Sequence, residues 1–418
     1  MKKSFRSVIT RTLLAGSLFF LLSVSGCGHR SDWVMFRGEQ GRGYTPNSLH
    51  PPVGIKWKLK IQENINPAFA FNNPVVLKDT IYFGSVDGNI YALDIVSGYM
   101  RWVYKTKGTI NSVPYADNKN VYIGSNDGKV YAVSQKDGKE AWSFQTDSTV
   151  QSTILKYKDS IIFVSDGGHV YFLSADGSEQ FTLPNPVWHY FTFQVYDDVF
   201  YFAPGPVEQP HSMGAYDIKQ KRYLWVIDTS RLNAVWYSFP ALKDNSIFFS
   251  TMDPFGEEWE LTYYAFNRKT GALQWRNTDY AVWGKNMPSD MGDYITRNMQ
   301  LLDYLAPSLW KNLVIYTSGD SVVRAFSTKT GDLVWQHRFD TPVSSAPTVA
   351  GNRIYFGLHG GTSYPVIEPK LVCLSARNGK VLWELETEGA LLSAPVIAHN
   401  WIIFGTDKNV FYVLEALF

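Results

Sequence analysis

A chain of 418 residues with 45% hydrophobic and 16% aromatic content can bury a large core, which excludes disorder over most of its length. Its 39 Lys and Arg against 38 Asp and Glu give a net charge of +1, a balance that argues against a nucleic-acid-binding surface or a polybasic membrane patch. With only two cysteines and no metal-type histidine spacing, a disulfide scaffold and a zinc site both lack support.

Residues 1–26 read as an export signal: Lys2, Lys3, Arg6 and Arg11 precede an apolar run from Leu13 to Val24 that is short for a membrane span. Val24-Ser25-Gly26-Cys27 resembles the lipobox of bacterial lipoproteins, which implies cleavage before Cys27 and acylation of its thiol. Gly28 behind it resembles the outer-membrane sorting pattern of a two-membrane cell, facing the periplasm. Loss of the four signal cations leaves the mature chain slightly acidic. Cys373 is then the only thiol left, which precludes an intrachain disulfide and reads as a packed, unreactive group.

Residues 27–54 form a tether and lead-in rich in Gly, Pro, Arg and Ser. Here Trp33, Phe36-Arg37-Gly38 and Gly43 resemble the W-x-x-F-R-G segment that opens many secreted proteins with pyrroloquinoline-quinone-like (PQQ-like) repeats. Packing against the following domain is expected of it.

From Ile81 to Trp102 the chain alternates apolar strands with turns at Asp87-Gly88 and Gly98, where glycine supplies the positive φ of tight turns. This unit recurs. An Ala-to-Trp spacing of ten residues appears as Ala92/Trp102, Ala132/Trp142, Ala215/Trp225, Ala265/Trp275 and Ala325/Trp335, and as Cys373/Trp383. Glycine precedes the aromatic by four at Gly98, Gly138, Gly177, Gly271, Gly331 and Gly379. Phe181 stands where a third tryptophan is expected, and Lys221 where a glycine is. Units of roughly 40 to 60 residues with four strands each predict an all-β propeller.

Blades end at Trp102, Trp142, Phe181, Trp225, Trp275, Trp335 and Trp383, after which only three strands remain before Phe418. The segment from Ile55 to Ile61, carrying Trp57, has no partners ahead of it. Pairing the two fragments removes an open edge and gives eight blades over residues 55–418, the last closed by the amino-terminal strand.

The A-x-D-x-x-T-G-x-x-x-W pattern resembles the quinoprotein-type, or tryptophan-docking, propeller repeat across residues 55–418. The resemblance implies tryptophans that dock each blade on its neighbour. It also implies one of two roles: a quinone-dependent dehydrogenase, or a BamB-like lipoprotein that scaffolds outer-membrane protein assembly without catalysis.

With strands A to D running outward, A–B and C–D turns share one face, and B–C and D–A connections share the other. Insertions fall in B–C connections at 203–213, 251–261 and 358–370 and in the D–A connection at 276–306, all on one face, as expected of a binding surface. Candidate contact residues there are Glu208, His211, Asp253, Glu257, Glu258, Trp259, His359 and Tyr364. Trp188, His189, Trp236, Tyr237 and Trp283 are expected at the channel mouth, available to stack on a sugar or planar cofactor or simply to pack. A short helix capped by Ser289, with Met291, Tyr294, Ile295, Met299, Leu302 and Leu305 along one stripe, is expected before Pro307.

No P-loop, G-x-S-x-G elbow, dinucleotide fingerprint or EF-hand loop is present, and no catalytic residue, metal ligand or cofactor can be assigned. The expectation is a lipid-anchored, monomeric, non-catalytic propeller that binds an envelope protein on its long-loop face. A small-ligand or glycan-binding propeller, or a PQQ-dependent dehydrogenase-like enzyme, is the alternative.

Overall fold

The computed structural model describes residues 31–38, 41–60, 73–184, 193–202, 212–228, 240–255, 258–281, 306–360 and 366–417, with backbone alone at 184, 212, 252–255, 258 and 259. The chain folds into eight antiparallel sheets arranged as a propeller, each containing four strands in the order A to D. Blade one contains Val75–Leu77, Thr80–Gly84, Asn89–Asp94 and Met100–Lys105. Its strand B, Thr80–Gly84, is buried at every residue because sheets cover both of its faces. Strand D alternates, with Trp102 turned inward and Arg101 and Val103 exposed. No helix occurs among the described residues, and the helix expected around 289–305 lies outside them.

The ten-residue spacing has a direct structural cause. Ala92 pairs with Trp102 across strands C and D, as do Ala132 with Trp142, Ala265 with Trp275 and Ala325 with Trp335, each pair beside a one-residue bulge. A small residue opposite leaves room for the indole, and the bulge turns it toward the next blade. There its Nε1 donates to a carbonyl in the neighbouring C–D turn: Trp102 to Gln135 at 3.1 Å, Trp142 to Ala175 at 3.0 Å, Trp225 to Arg268 at 2.9 Å and Trp275 to Thr328 at 3.1 Å. The turn glycine lies under the ring. A Cβ on Gly138, whose φ is +70°, would come within 2.9 Å of Trp102, so both conformation and space demand glycine.

Blade three shows what happens when both partners change. Lys221 occupies the glycine slot at a φ of 52°, and its Nζ lies 4.6 Å from the centroid of Phe181, which replaces the tryptophan. The smaller ring admits a side chain that an indole would expel. Phe181→Trp alone is therefore expected to cost about 1–3 kcal/mol by overpacking, and Lys221→Gly to restore most of it. Urea unfolding of the two single variants and the double variant checks this; additive effects would refute the coupling.

Blade eight combines both ends of the chain. Val53–Lys60 is its outer strand, paired with Val410–Ala416 from Val53↔Ala416 to Lys60↔Val410, beside Trp401–Gly405 and Val396–Ala398. Trp57 then donates to Ile95 O of blade one at 2.9 Å, so the amino-terminal strand carries the indole that joins the last blade to the first.

The lead-in runs along the inner strands of the ring. Trp33 forms an antiparallel bridge with Val76 of blade one, and Ala116 of blade two donates to Val34 O. Met35 packs with blade three, a Cβ on Gly41 would strike Gln194 of blade four, and Arg42 Nε donates to Leu242 O of blade five. Leu309 of blade six donates to Arg42 O, and Tyr44–Thr45 adds a parallel strand to the inner edge of blade seven. In the channel, buried Phe36 packs on Ala306, Ala346 and Ala394, and buried Arg37 donates to Pro347 O, Ala306 O and Pro307 O. Residues 31–50 thus plug the ring, well beyond simple packing against it.

Residues 251–261, expected as a loop, continue the sheet instead. Ser246–Phe255 and Glu258–Asn267 stay paired out to Phe255↔Glu258, and Leu273–Tyr280 follows alongside to Glu260↔Tyr280. Thr251, Thr262 and Tyr263, β-branched or aromatic, favour the extended conformation past the usual turn position. Blade five therefore projects an extension of its sheet, three-stranded as far as Glu260 and two-stranded beyond it.

Candidate functional site

Hydrogen bonds define the two faces. C–D turns bond to A–B turns of the same blade, as in Ile95 N to Asp79 O, Gln135 N to Lys119 O and Ala376 N to Asn352 O. D–A connections bond to B–C turns, as in Thr106 N to Gly88 O, Thr146 N to Gly128 O and Phe339 N to Ser321 O. The blade-five extension lies on the B–C side, and the strands ending at Phe202, Tyr280 and Leu358 end there as well.

That face is acidic, and its carboxylates are held in repeated clamps. Asp87 accepts from Tyr91 Oη at 2.6 Å and from the Asn89 amide at 2.8 Å. Burial alone would raise this carboxyl, but these donors outweigh it and hold Asp87 below the usual range. Burial, reinforced by Asp87, pushes the Tyr91 hydroxyl up to about 12. Asp127 accepts from Tyr131 at 2.8 Å in blade two. In blade three the acid comes from the D–A connection: Asp147 accepts from Ser165, contacts His169 Nδ1 at 2.5 Å and accepts from Tyr171 at 3.0 Å. Blade six replaces the tyrosine by Arg324, 1% exposed in its side chain, which donates to Asp320 at 2.7 Å and to Asp279 of the blade-five extension at 2.8 Å. This bridge fixes the extension to blade six. The column preceding the strand-C partner of each docking aromatic reads Tyr91, Tyr131, Tyr171, Gly214, Tyr264, Arg324, Val372 and Tyr412, so Arg324 was visible in sequence as its charged member.

Of the sequence candidates, His359 is half-buried in the blade-seven B–C connection, its N–H donating to Pro342 O at 2.9 Å. Burial lowers its pKa, opposed by Asp407 of the adjacent blade. A lowered folded-state value means that the unfolded chain takes up a proton the folded chain refuses. Stability from this group is therefore present above the ordinary value of about 6.5 and declines as pH falls through it. His359→Gln is expected to flatten the stability slope between about pH 7 and 5, measured by urea titration at each pH; an unchanged slope would count against it.

Asp253, Glu258 and Trp259 belong to the backbone of the blade-five extension, with Asp253↔Glu260 and Pro254↔Trp259 in register. Cys27, Glu208, His211, Glu257, Tyr364, Trp188, His189, Trp236, Tyr237 and Trp283 lie outside the described residues. Cys373 is buried, and burial pushes its thiol up to about 12, as suits a packing role.

A quinone and its calcium, implied by the dehydrogenase branch of the resemblance, would belong in the central channel. The described lining does not suit them: Phe36 packs there against Ala306, Ala346, Ala394 and Val113, and Arg37 donates to backbone carbonyls. Among the described residues no group of three or more His, Cys, Asp or Glu is placed to hold a metal.

No curated protein matches the chain by sequence. Among solved structures, BamB from Moraxella catarrhalis superposes with a TM-score of 0.63 at 15% identity, over 87% of this chain and 98% of that one. A europium-containing methanol dehydrogenase gives 0.66 at 13% identity, over 92% and 98%. A quinohemoprotein alcohol dehydrogenase from Pseudomonas putida gives 0.65 at 13% identity, over 92% and 80%. At these identities the likeness shows the propeller fold alone. The family model described as outer membrane protein assembly factor BamB matches residues 54–186, 263–359 and 319–417, which together span well over half of the sequence, and the chain belongs to that family.

Proposed function

We propose that the chain is a lipid-anchored, non-catalytic propeller that holds an envelope protein on its long-loop face in the service of outer-membrane protein assembly. The observation that carries this proposal is the family match across both halves of the ring. In support, the long-loop face offers a projection, the blade-five extension joined to blade six by Arg324, bearing Asp253, Glu258 and Trp259. The register puts Asp253 and Glu258 on one face of the extension and Trp259 on the other, which suits a partner that grips it with both basic and apolar groups. Glu208, His211, Glu257, His359 and Tyr364 would extend the contact, and Cys27 would anchor the scaffold to a membrane, the periplasmic leaflet of the outer membrane in a two-membrane cell.

The test is cross-linking and co-purification of the full chain from native membranes. Asp253→Lys with Trp259→Ala is expected to weaken capture of the principal partner at least about tenfold while leaving the melting temperature unchanged. Capture of no partner, or capture indifferent to both substitutions, would defeat the proposal. Dehydrogenase structures of the same fold favour a second reading, a quinone enzyme, which the apolar packing around Phe36 opposes. A bound chromophore or dye reduction after adding pyrroloquinoline quinone with calcium would establish that reading instead.

A further inference from the structure

We propose that the ring lies flat on an anionic lipid surface through the face that bears its A–B and C–D turns, leaving the acidic long-loop face toward the aqueous compartment. This rests on the lipid attachment at Cys27 proposed above.

The first observation is where the chain enters the ring. Asp32 accepts from Lys78 N at 2.8 Å and contacts His399 Nε2 at 2.9 Å, while His399 N donates to Ser31 O. Lys78 and His399 both sit in A–B turns, in blades one and eight. Only Gly28, His29 and Arg30 separate Cys27 from Ser31. Four residue steps span at most about 14 Å. Standing the ring on its edge would require the tether to cross the width of a blade, three strand spacings or about 14 Å before side chains are counted. Turning the other face down would require more still.

The second observation is charge, and whole-chain balance conceals it. C–D turns carry an exposed cation at one recurring position, Lys136, Lys219, Lys269, Lys329 and Arg377, spaced around the ring. Cations outnumber carboxylates in these turns. The A–B turns of the same face run the other way, with Asp79, Asp117, Asp159, Asp197, Asp198 and Asp244 against Lys78, Lys119, Lys158 and Lys311, yet over both sets of turns cations remain in excess. In the B–C turns the reverse holds, with Asp87, Asp127, Asp166 and Asp407 against Lys408, the buried Asp320 being neutralised by Arg324. Tyr99, at 78% exposure, and Val96 add apolar contacts to the cationic side. The tether thus delivers to the membrane the face that an anionic surface attracts and turns away the one it repels.

The experiment uses the full-length protein on vesicles of phosphatidylethanolamine and phosphatidylglycerol doped with a headgroup quencher. Lys136→Cys and Lys107→Cys place a fluorophore on opposite faces of blade two, and buried Cys373 does not compete for label. Acylation is measured independently by mass. With the acyl mass present, the label at position 136 is expected to be quenched several-fold more than that at 107. In a Cys27→Ser background, reversing Lys136, Lys219 and Lys329 to Glu should weaken vesicle binding about tenfold or more. Equal or inverted quenching on acylated protein, or vesicle binding unmoved by charge reversal, overturns the orientation while lipid attachment stands. Absence of the acyl mass overturns the attachment, and the orientation with it.

Discussion

Deleting residues 53–60 is expected to open the ring and leave a protein that is insoluble or melts at least about 10 °C lower. Val53–Lys60 is the fourth strand of blade eight, and without it Val410–Ala416 becomes an unpaired edge. Each ladder bond contributes about 0.5–1.5 kcal/mol net, and the half-buried Trp57 indole about 2 kcal/mol more. Their sum is comparable with the whole stability of an ordinary domain, about 5–15 kcal/mol. The indole also donates a hydrogen bond from blade eight to the C–D turn of blade one, at Ile95 O. Trp57→Ala separates the two contributions: it keeps the strand but should lose about 2–3 kcal/mol, read by urea unfolding. A truncated protein that stays soluble with an unchanged melting temperature would show that the ring does not depend on this closure.

Much of this architecture can be read from the sequence because the repeat unit encodes its own geometry. Ala92 and Trp102 are ten residues apart because they face each other across a bulged hairpin, and the same cross-strand demand recreates the spacing in most blades. Counting leftover strands then gave the closure, found at Val53–Lys60 against an expected 55–61. Residues 31–50 follow no period. Their course depends on partners hundreds of residues away, such as Arg37 with Pro347, and short-range patterns carry no trace of it. The blade-five extension was missed for a different reason, since strand and loop compete at a turn position and cross-strand pairing decided for strand. Face polarity was hidden by the order of the chain: Asp127 and Lys136 lie nine residues apart and cancel in any running sum, yet the fold sends them to opposite sides. Of the candidate site, His359 and the strand positions of Asp253, Glu258 and Trp259 are described, whereas the remaining contact residues fall outside the described chain.

Arg37→Met is expected to cost about 3–5 kcal/mol and to expose residues 31–50 to limited proteolysis. Arg37 is 2% exposed, sits at a φ of 60°, and spans the inner strands of two blades by donating to Ala306 O, Pro307 O, Ser308 Oγ and Pro347 O. Methionine keeps much of the volume but donates nothing, so the buried carbonyls lose this donor. Arg37→Lys keeps the charge without the planar fork and should recover only part of the loss. Stability indistinguishable from the parent in both variants would show that Phe36 and Trp33 hold the plug alone. The consequence reaches beyond stability. While the plug is seated, about 14 Å of chain separates a lipid at Cys27 from the ring; once residues 31–50 are released, the same anchor could reach about 70 Å or more. The difference in quenching between labels at positions 136 and 107 should therefore shrink in Arg37→Met even though the acyl group and every surface cation remain. A contrast that survives release of the plug would mean that surface charge alone, without the short tether, sets the orientation of the ring.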